Sequence, residues 1–298
     1  TDNVGVTGYR IYRCQGTGCT PSVQIATSAT NSYSDTGLSA STAYVYNVAA
    51  YDAAVNVSGQ SSSASATTLA AGTVALYSFD EGAGTTAADS SGYNNNGTIN
   101  GAVWTTGRVN QALSFDGVDD YVNVGSNASL NLTTSFTVAG WINWDGHALA
   151  AYNTIFSSGT GTGLYWQAMI NSNRLAFRND FTGPDELADS TLTTGTWYHI
   201  AIVKNGDTGT NLTFYINGSP SGTAIVGAVP SSGIKYIGIR NEGGFSHPFD
   251  GIIDELRLYN VALSAGDIQS LYNSAPPIVD TTPPSVPTNL SAAAVSAS

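Results

Sequence analysis

Three aspartates, Asp116, Asp119 and Asp120, fall within "LSFDGVDDYVNV" (113–124) in a chain otherwise sparing with charge. Crowded carboxylates repel one another and resist burial unless a cation or hydrogen-bond donors satisfy them. Calcium meets that need, because it takes about six to eight oxygens, mixing carboxylates with carbonyls turned inward by flexible loops. Two more aspartates have suitable surroundings. Asp89 opens the Gly/Asn-rich loop "DSSGYNNNG" (89–97). Asp254 alternates with Ile252, Leu256 and Leu258 in "IIDELRL" (252–258), so a regular strand turns all four to one face and buries the carboxylate among them. Plainer readings stand beside these: Asp89 and Asp116 as turn residues bonding their own backbone, and Asp254 satisfied by N–H groups or an arginine. Asp119 and Asp120 point to opposite faces of a regular strand, which leaves one of them in solvent.

Other side chains speak for holding a ligand more than for transforming one. The four glutamates, Glu81, Glu186, Glu242 and Glu255, are scattered, and "DELAD" (185–189) reads as a solvated turn. His147, His199 and His247 are equally dispersed, and His199 lies inside the strand-like "WYHIAIV" (197–203), where packing accounts for it. The sequence contains no Gly-x-Ser-x-Gly elbow, no phosphate-cradling Gly-Lys-Ser/Thr loop and no His-Glu-x-x-His zinc helix. Cys14 and Cys19 flank two glycines in "CQGTGC", a spacing that predicts a small disulfide loop and an oxidising, extracellular location. Aromatic rings beside amides suit sugars. "WINWDGHALAAYN" (141–153) offers Trp144, His147 and Tyr152, and "NEGGFSHPFDG" (241–251) offers Asn241, Phe245 and His247. "LYWQAMINSNR" (164–174) adds Trp166 and Asn171, and for every aromatic, core or rim packing is the competing reading.

The elements that must position these residues are strands. Only 10% of the 298 residues are charged, and 9 Lys+Arg against 21 Asp+Glu give a net charge of −12, leaving no basic stripe for nucleic acid or an anionic membrane surface. No apolar run approaches the roughly 20 residues of a membrane span. The chain opens at Thr1 without a signal segment and reads as a mature or excised piece. Short runs rich in Val, Ile, Tyr and Thr alternate between Gly/Asn/Thr turns, with ten or more strands expected between residues 70 and 276. One helix is expected at "LSAGDIQSLY" (263–272), with Ser264 as N-cap and Asp267 three residues on. The sequence therefore divides into residues 1–69, a larger unit 70–276, and a Pro-rich tail 277–298.

Five ordered pieces carry a family likeness: "LYSFDEGAGTTAADSSGYNNNGT", "GRVNQALSFDGVDDYVNV", "FTVAGWINW", "TWYHIAIVKNGDTGTNLTFYINGSPSG" and "FDGIIDELRLYNVALSAGDIQSLY". Together they resemble the laminin-G-like, concanavalin-A-like jelly roll of bacterial secreted proteins. The resemblance implies an all-β sandwich and a structural calcium near the ends of its first and last strands with Asp89, Asp116 and Asp254 as ligands, while the mixed aromatic and amide loops point to a non-catalytic recognition or adhesion module for carbohydrate or another extracellular polymer. The glucanases of that superfamily place Glu, Asp and Glu at alternate positions of one strand, a pattern absent here. Residues 1–69, with "YRIYR" (9–13) and Tyr44 in "GLSASTAY", resemble a fibronectin type III domain that lacks its opening strands. "DTTPPSVPTNLSAAAVSAS" (280–298) resembles the linker and first strand of another. The expected partners are extracellular polysaccharide or glycoprotein. Alternatively, copies of this chain join end to end into a filament by strand complementation between the incomplete pieces.

Overall fold

Runs with a period of two become strands throughout the computed structural model, which describes residues 5–146, 152–159, 165–179, 184–230, 233–241 and 245–275. The first four, β1 (Val6–Gln15), β2 (Val23–Ser28), β3 (Ala43–Asp52) and β4 (Ala64–Thr67), form an antiparallel sheet in the order β2-β1-β3-β4. Cys14 and Cys19 are disulfide-bonded with their Cα atoms 6.2 Å apart, closing the turn after β1. Tyr44, Tyr46 and Val48 share one face, lying opposite Gln15, Arg13 and Ile11. The Tyr44 hydroxyl accepts a hydrogen bond from the Ser39 N–H at 3.1 Å.

The larger unit begins with β5 (Thr73–Tyr77), β6 (Thr86–Ala87), β7 (Gly97–Asn100), β8 (Val103–Thr106), β9 (Gln111–Asp116) and β10 (Tyr121–Gly125). It continues through β11 (Ser135–Trp144), β12 (Tyr152–Gly159), β13 (Tyr165–Asn171), β14 (Arg174–Asn179), β15 (Glu186–Thr191) and β16 (Trp197–Asn205). It ends with β17 (Leu212–Ile216), β18 (Ser219–Ala224), β19 (Ile234–Ile237), the short pair β20 (Arg240–Asn241) and β21 (Phe245–Ser246), β22 (Asp250–Tyr259) and helix α1 (Ala265–Ser274). Two antiparallel sheets result, β15-β14-β13-β12-β19-β10-β7-β6 and β18-β17-β16-β11-β22-β9-β8, with β5 also paired to β22. They make an all-β jelly-roll sandwich.

The core between the sheets is aromatic and aliphatic. Phe136 of β11 stacks on Trp166 of β13 with ring centroids 4.8 Å apart, and Phe156 and Phe177 flank the same indole. Each such ring contributes about 1.5–3 kcal/mol on burial, so this cluster holds the two sheets in register. Helix α1 covers the far face of the second sheet. Ser264 accepts a hydrogen bond from the Asp267 N–H and the Asp267 carboxylate accepts one from the Ser264 N–H, forming a capping box. Ile268 is buried and Tyr272 stacks on Trp141 with centroids 5.7 Å apart.

One strand departs from regular alternation. Glu255 has a φ of 51°, and the pairing of β22 with β11 slips between Ala139 and Trp141. This bulge changes the phase of the strand. Ile253, Leu256 and Leu258 reach the core, whereas Asp254 lies opposite Trp141 on the helix-covered face. The expected grouping of Asp254 with Ile252, Leu256 and Leu258 is thereby corrected in part: Asp254 stays in line with Ile252, and the extra residue after it turns Leu256 and Leu258 to the opposite, core face.

Candidate functional site

On β13 and β14 the core takes Trp166, Ala168, Ile170, Leu175 and Phe177, so Gln167, Asn171 and Arg178 belong to the opposite, outer face. Register puts Tyr152 beside Asn171 and Gln167 beside Arg178. A polar and aromatic cluster forms there. The Arg178 guanidinium lies 4.5 Å from the Tyr152 ring centroid, and the His247 ring lies 4.7 Å from it. Asp185 accepts hydrogen bonds from Arg178 Nε and, at 2.5 Å, from Asn171 Nδ2. Farther along the same face Arg240 sits 4.7 Å from the Tyr165 ring centroid, and its Nη1 donates to the Tyr165 hydroxyl at 2.9 Å.

The electrostatics follow from partial burial. Desolvation opposes the charge on Arg178, but the hydrogen bond to Asp185 and those to the Tyr152 and Tyr165 hydroxyls outweigh it and raise the guanidinium pKa above its ordinary value. Burial, with Arg240 and Arg178 nearby, lowers His247 to about 4. At neutral pH the imidazole is therefore uncharged, with one nitrogen a donor and the other an acceptor. Among the described residues Nδ1 has no hydrogen-bond partner. A half-buried ring flanked by a fixed guanidinium, a neutral imidazole and an amide offers a flat apolar surface together with oriented hydrogen-bonding groups.

The aspartates expected to share a calcium do not converge. Among the described residues, the acidic side chains whose oxygens gather within 4.8 Å of one another are Asp116, Asp119 and Asp120, without Asp89 or Asp254. The physical reason is local. Asp89 spends both oxygens on its own loop and the adjoining strand, accepting from the N–H groups of Leu76, Ser91 and Asn95 and from the Ser91 hydroxyl. Asp254 is fully buried; one oxygen accepts from the Val109 N–H at 2.8 Å and the other has no partner among the described residues. Burial lifts its pKa to about 7. It adjoins the elements bounding a cleft of about 190 Å³ lined by Trp141, His199, Glu255, Arg257 and Ser274. His199 is packed there, only 3% exposed, and held to a pKa of about 4 by burial and then by Arg257.

The expected ligand-binding residues divide. Tyr152 and His247 are brought together, but Trp144 is 5% exposed and belongs to the sandwich core, because β11 alternation turns Phe136, Val138, Ile142 and Trp144 inward. Trp166 is likewise core. Asn241 and Phe245 pair across β20 and β21, and their side chains, like His147, lie outside the described residues. Among the described residues no helix is long and apolar enough to cross a membrane.

A family model described as "Concanavalin A-like lectin/glucanases superfamily" matches residues 116–269, just over half of the chain. The chain belongs to this superfamily. Its sandwich is similar to domain 4 of AbnA, an extracellular GH43 arabinanase from Geobacillus stearothermophilus solved in complex with arabinotriose. That TM-score is 0.53 at 22% identity, covering 68% of this chain and 98% of the other. It is also similar to the binding domain of Paraclostridial Mosquitocidal Protein 1, with a TM-score of 0.56 at 19% identity and coverage of 68% and 52%. At these identities the likeness is one of fold. Closer in sequence, but over shorter stretches, are an alpha-amylase of Niallia circulans, 53% identical over 77 residues, and exoglucanase B of Cellulomonas fimi, 50% identical over 70. Those matches cover 26% and 24% of this chain but only 5% and 6% of the relatives' own lengths.

Within this concanavalin A-like sandwich, the sequence reasoning overlooked Arg178 and Asp185. "DELAD" is not a solvated turn: residues from Glu186 onward form β15, and the Asp185 side chain is only 7% exposed against Arg178. The available signal was the alternation in "RLAFRN" (174–179), which sets Arg174 and Arg178 opposite Leu175 and Phe177 in a chain with few basic residues.

Proposed function

We propose that this chain is a non-catalytic recognition module of a secreted protein, and that it holds polysaccharide at the outer-face cluster of Tyr152, His247, Arg178 and Asn171. The observation that carries this reading is the Tyr152 ring, flanked by His247 and by an Arg178 that Asp185 fixes in place. A sugar's apolar face would stack against the phenol while its hydroxyls take hydrogen bonds from the guanidinium, imidazole and amide. Membership in a superfamily of lectins and glucanases supports it, as do relatives named alpha-amylase and exoglucanase B and an arabinanase domain solved with arabinotriose. The disulfide supports an extracellular setting.

Calorimetry against arabinotriose and a panel of immobilised glucans, chitin and glycoproteins tests the reading. Binding to at least one of them, weakened about tenfold or more by Tyr152→Ala, equivalent to about 1.4 kcal/mol, is expected. Absence of binding across the panel, or a Tyr152→Ala variant that binds as well as the parent, would overturn it.

Two accompanying elements belong to the same proposal. Residues 1–69 are a fibronectin type III-like piece ahead of the 70–276 sandwich, residues 277–298 resemble the start of another in sequence alone, and a structural calcium sits at the Asp116, Asp119 and Asp120 turn. The donor set fits such an ion: Asp116 and Asp120 each engage one oxygen with a backbone N–H, that of Val118 and that of Asp116 respectively, which leaves their other oxygens and Asp119 to serve as hard ligands. Burial, then the neighbouring Asp116 and Asp119, raises the Asp120 pKa, a penalty that a cation would relieve. A chelator should lower the melting temperature by a few degrees, and elemental analysis should find calcium; an unchanged melting curve with no metal removes the ion.

A further inference from the structure

The outer face of the second sheet carries a cleft that the Tyr152 cluster does not use. Strand register places Trp141 of β11 between His199 of β16 and Asp254 of β22. Helix α1 closes over this row, with the Tyr272 ring stacked on Trp141 and 6.1 Å from the His199 ring, centroid to centroid. Against the last turn of the helix a space of about 190 Å³ remains, with Trp141, Val109 and Leu271 as apolar lining and Glu255, Arg257 and His199 as polar lining. The indole is a fixed wall, since the Arg108 guanidinium also lies 4.7 Å from its ring centroid.

The bulge in β22 is what puts a carboxylate there. Asp254 faces the helix-covered side and Leu256 the core, so Glu255 is the extra residue between them, and its φ of 51° lies where non-glycine residues are uncommon. Strained residues persist only where the surrounding structure holds them, and they cluster at ligand sites. Here the bulge sets Glu255 beside Arg257: the guanidinium Nη2 donates to Oε2 of Glu255 at 2.5 Å, and both side chains line the cleft. That pairing uses one Glu255 oxygen and one of the guanidinium's five N–H groups, so each partner has further capacity to bond a ligand. His199 is uncharged at neutral pH, because burial and then Arg257 hold it to about 4, and its buried Nδ1 has no partner among the described residues. Buried nitrogens are normally hydrogen-bonded, and a small polar molecule in the cleft would supply what is missing. Glu255, Arg257 and His199 together carry no net charge.

Such a lining suits a neutral ring bearing several hydroxyls and does not suit an ion. A carboxylate and a guanidinium held side by side accept from one hydroxyl and donate to its neighbour, while the ring's C–H groups pack against the indole. Size sets the number of rings: a cavity of about 150 Å³ takes one benzene, so a space of about 190 Å³ takes one pyranose unit. We propose that this cleft is a second saccharide site, holding one neutral pyranose unit through Glu255 and Arg257 against Trp141. It stands independently of the Tyr152 cluster and faces away from it, because the two lie on the outer faces of opposite sheets. One module then holds two polysaccharide strands, or two segments of one, and its attachment to an insoluble polymer gains avidity from the second contact.

Titration of the full chain with the methyl glycosides of glucose, galactose, xylose and N-acetylglucosamine, read residue by residue by NMR, tests this. At least one glycoside should shift the Trp141 indole N–H and the Glu255 and Ser274 amides, and those shifts should persist in Tyr152→Ala. Glu255→Gln, which keeps the shape and removes the charge, should weaken that binding at least about tenfold. Ala275→Trp, which places an indole in the cleft and leaves Glu255 and Arg257 untouched, should weaken it by at least as much, with unchanged core signals showing that the fold is kept. Shifts confined to Tyr152 and His247 overturn the proposal and leave the first site standing. Absence of any shift at Trp141 with all four glycosides also overturns it, as does unchanged affinity at the cleft in either folded variant.

Discussion

Asp185 and Asp254 are two buried carboxylates in one sandwich, on the outer faces of opposite sheets, and their surroundings differ in one respect. Asp185, with 7% of its side chain exposed, faces the Arg178 guanidinium and the Asn171 amide. Asp254, fully buried, receives a backbone N–H from Val109 and has an oxygen with no partner among the described residues, and burial lifts its pKa to about 7. A cation fixed against a buried carboxylate offsets the cost of burying its charge, and without one burial raises the pKa, as it does for Asp254. In the first case the ion pair also fixes Arg178 over Tyr152, where a ligand can use it. In the second the carboxylate is a burden on the folded state at alkaline pH.

Removing the partner from Asp185 should have the largest effect. Arg178→Ala leaves a buried charge uncompensated, which costs about 3–5 kcal/mol in comparable settings, and thermal unfolding should show it together with loss of saccharide binding. The double variant Arg178→Met with Asp185→Leu should recover most of the stability without the binding, separating the two roles of the pair.

Relieving Asp254 should act in the opposite sense. Its folded-state pKa is raised from an ordinary 3.8 to about 7, so the native chain holds the proton more tightly than the unfolded one. Its contribution is greatest below about pH 4 and is lost as pH rises toward 7. Asp254→Asn should thus match the parent chain near pH 4 and exceed it by a few kcal/mol at pH 8, since each unit is worth about 1.4 kcal/mol. Comparing variant with parent at each pH cancels the reverse trend from His199 and His247, both lowered to about 4. Equal denaturation midpoints at pH 8 would show that Asp254 has a partner after all.

Smaller effects sharpen the same contrast. A Cβ on Gly107 would come within 2.6 Å of the Asp254 carboxylate and of the Gln111 carbonyl, so Gly107→Ala should destabilise by about 1–3 kcal/mol. Ser264→Ala removes the α1 cap and should cost about 1 kcal/mol, with faster hydrogen exchange in the first turn of the helix and no change at Tyr152.

Much of the architecture was legible in the chain because it depends on neighbours in sequence. The period-two runs became strands, Cys14 and Cys19 bonded across their Gly-containing turn, and Ser264 with Asp267 capped the helix. Tyr152 and His247 were also recognised as candidates, and they meet. What escaped was whatever a single irregularity or a distant partner decides. The bulge at Glu255 separated Asp254 from Leu256 and Leu258, and Asp89 spent its oxygens on its own loop and on β5. Trp144 went inward with its strand's phase, and Asp185 proved to face an arginine across a hairpin.

By itself, then, the order of residues determined the β class, the turns, the disulfide and the helix cap, since each follows from the conformational preference and reach of residues a few positions apart. Only the tertiary structure decided which carboxylate found a guanidinium and which did not. Strand register and one extra residue in β22 fix those distances, and charge in a desolvated interior depends on separations of a few ångströms that local sequence does not encode.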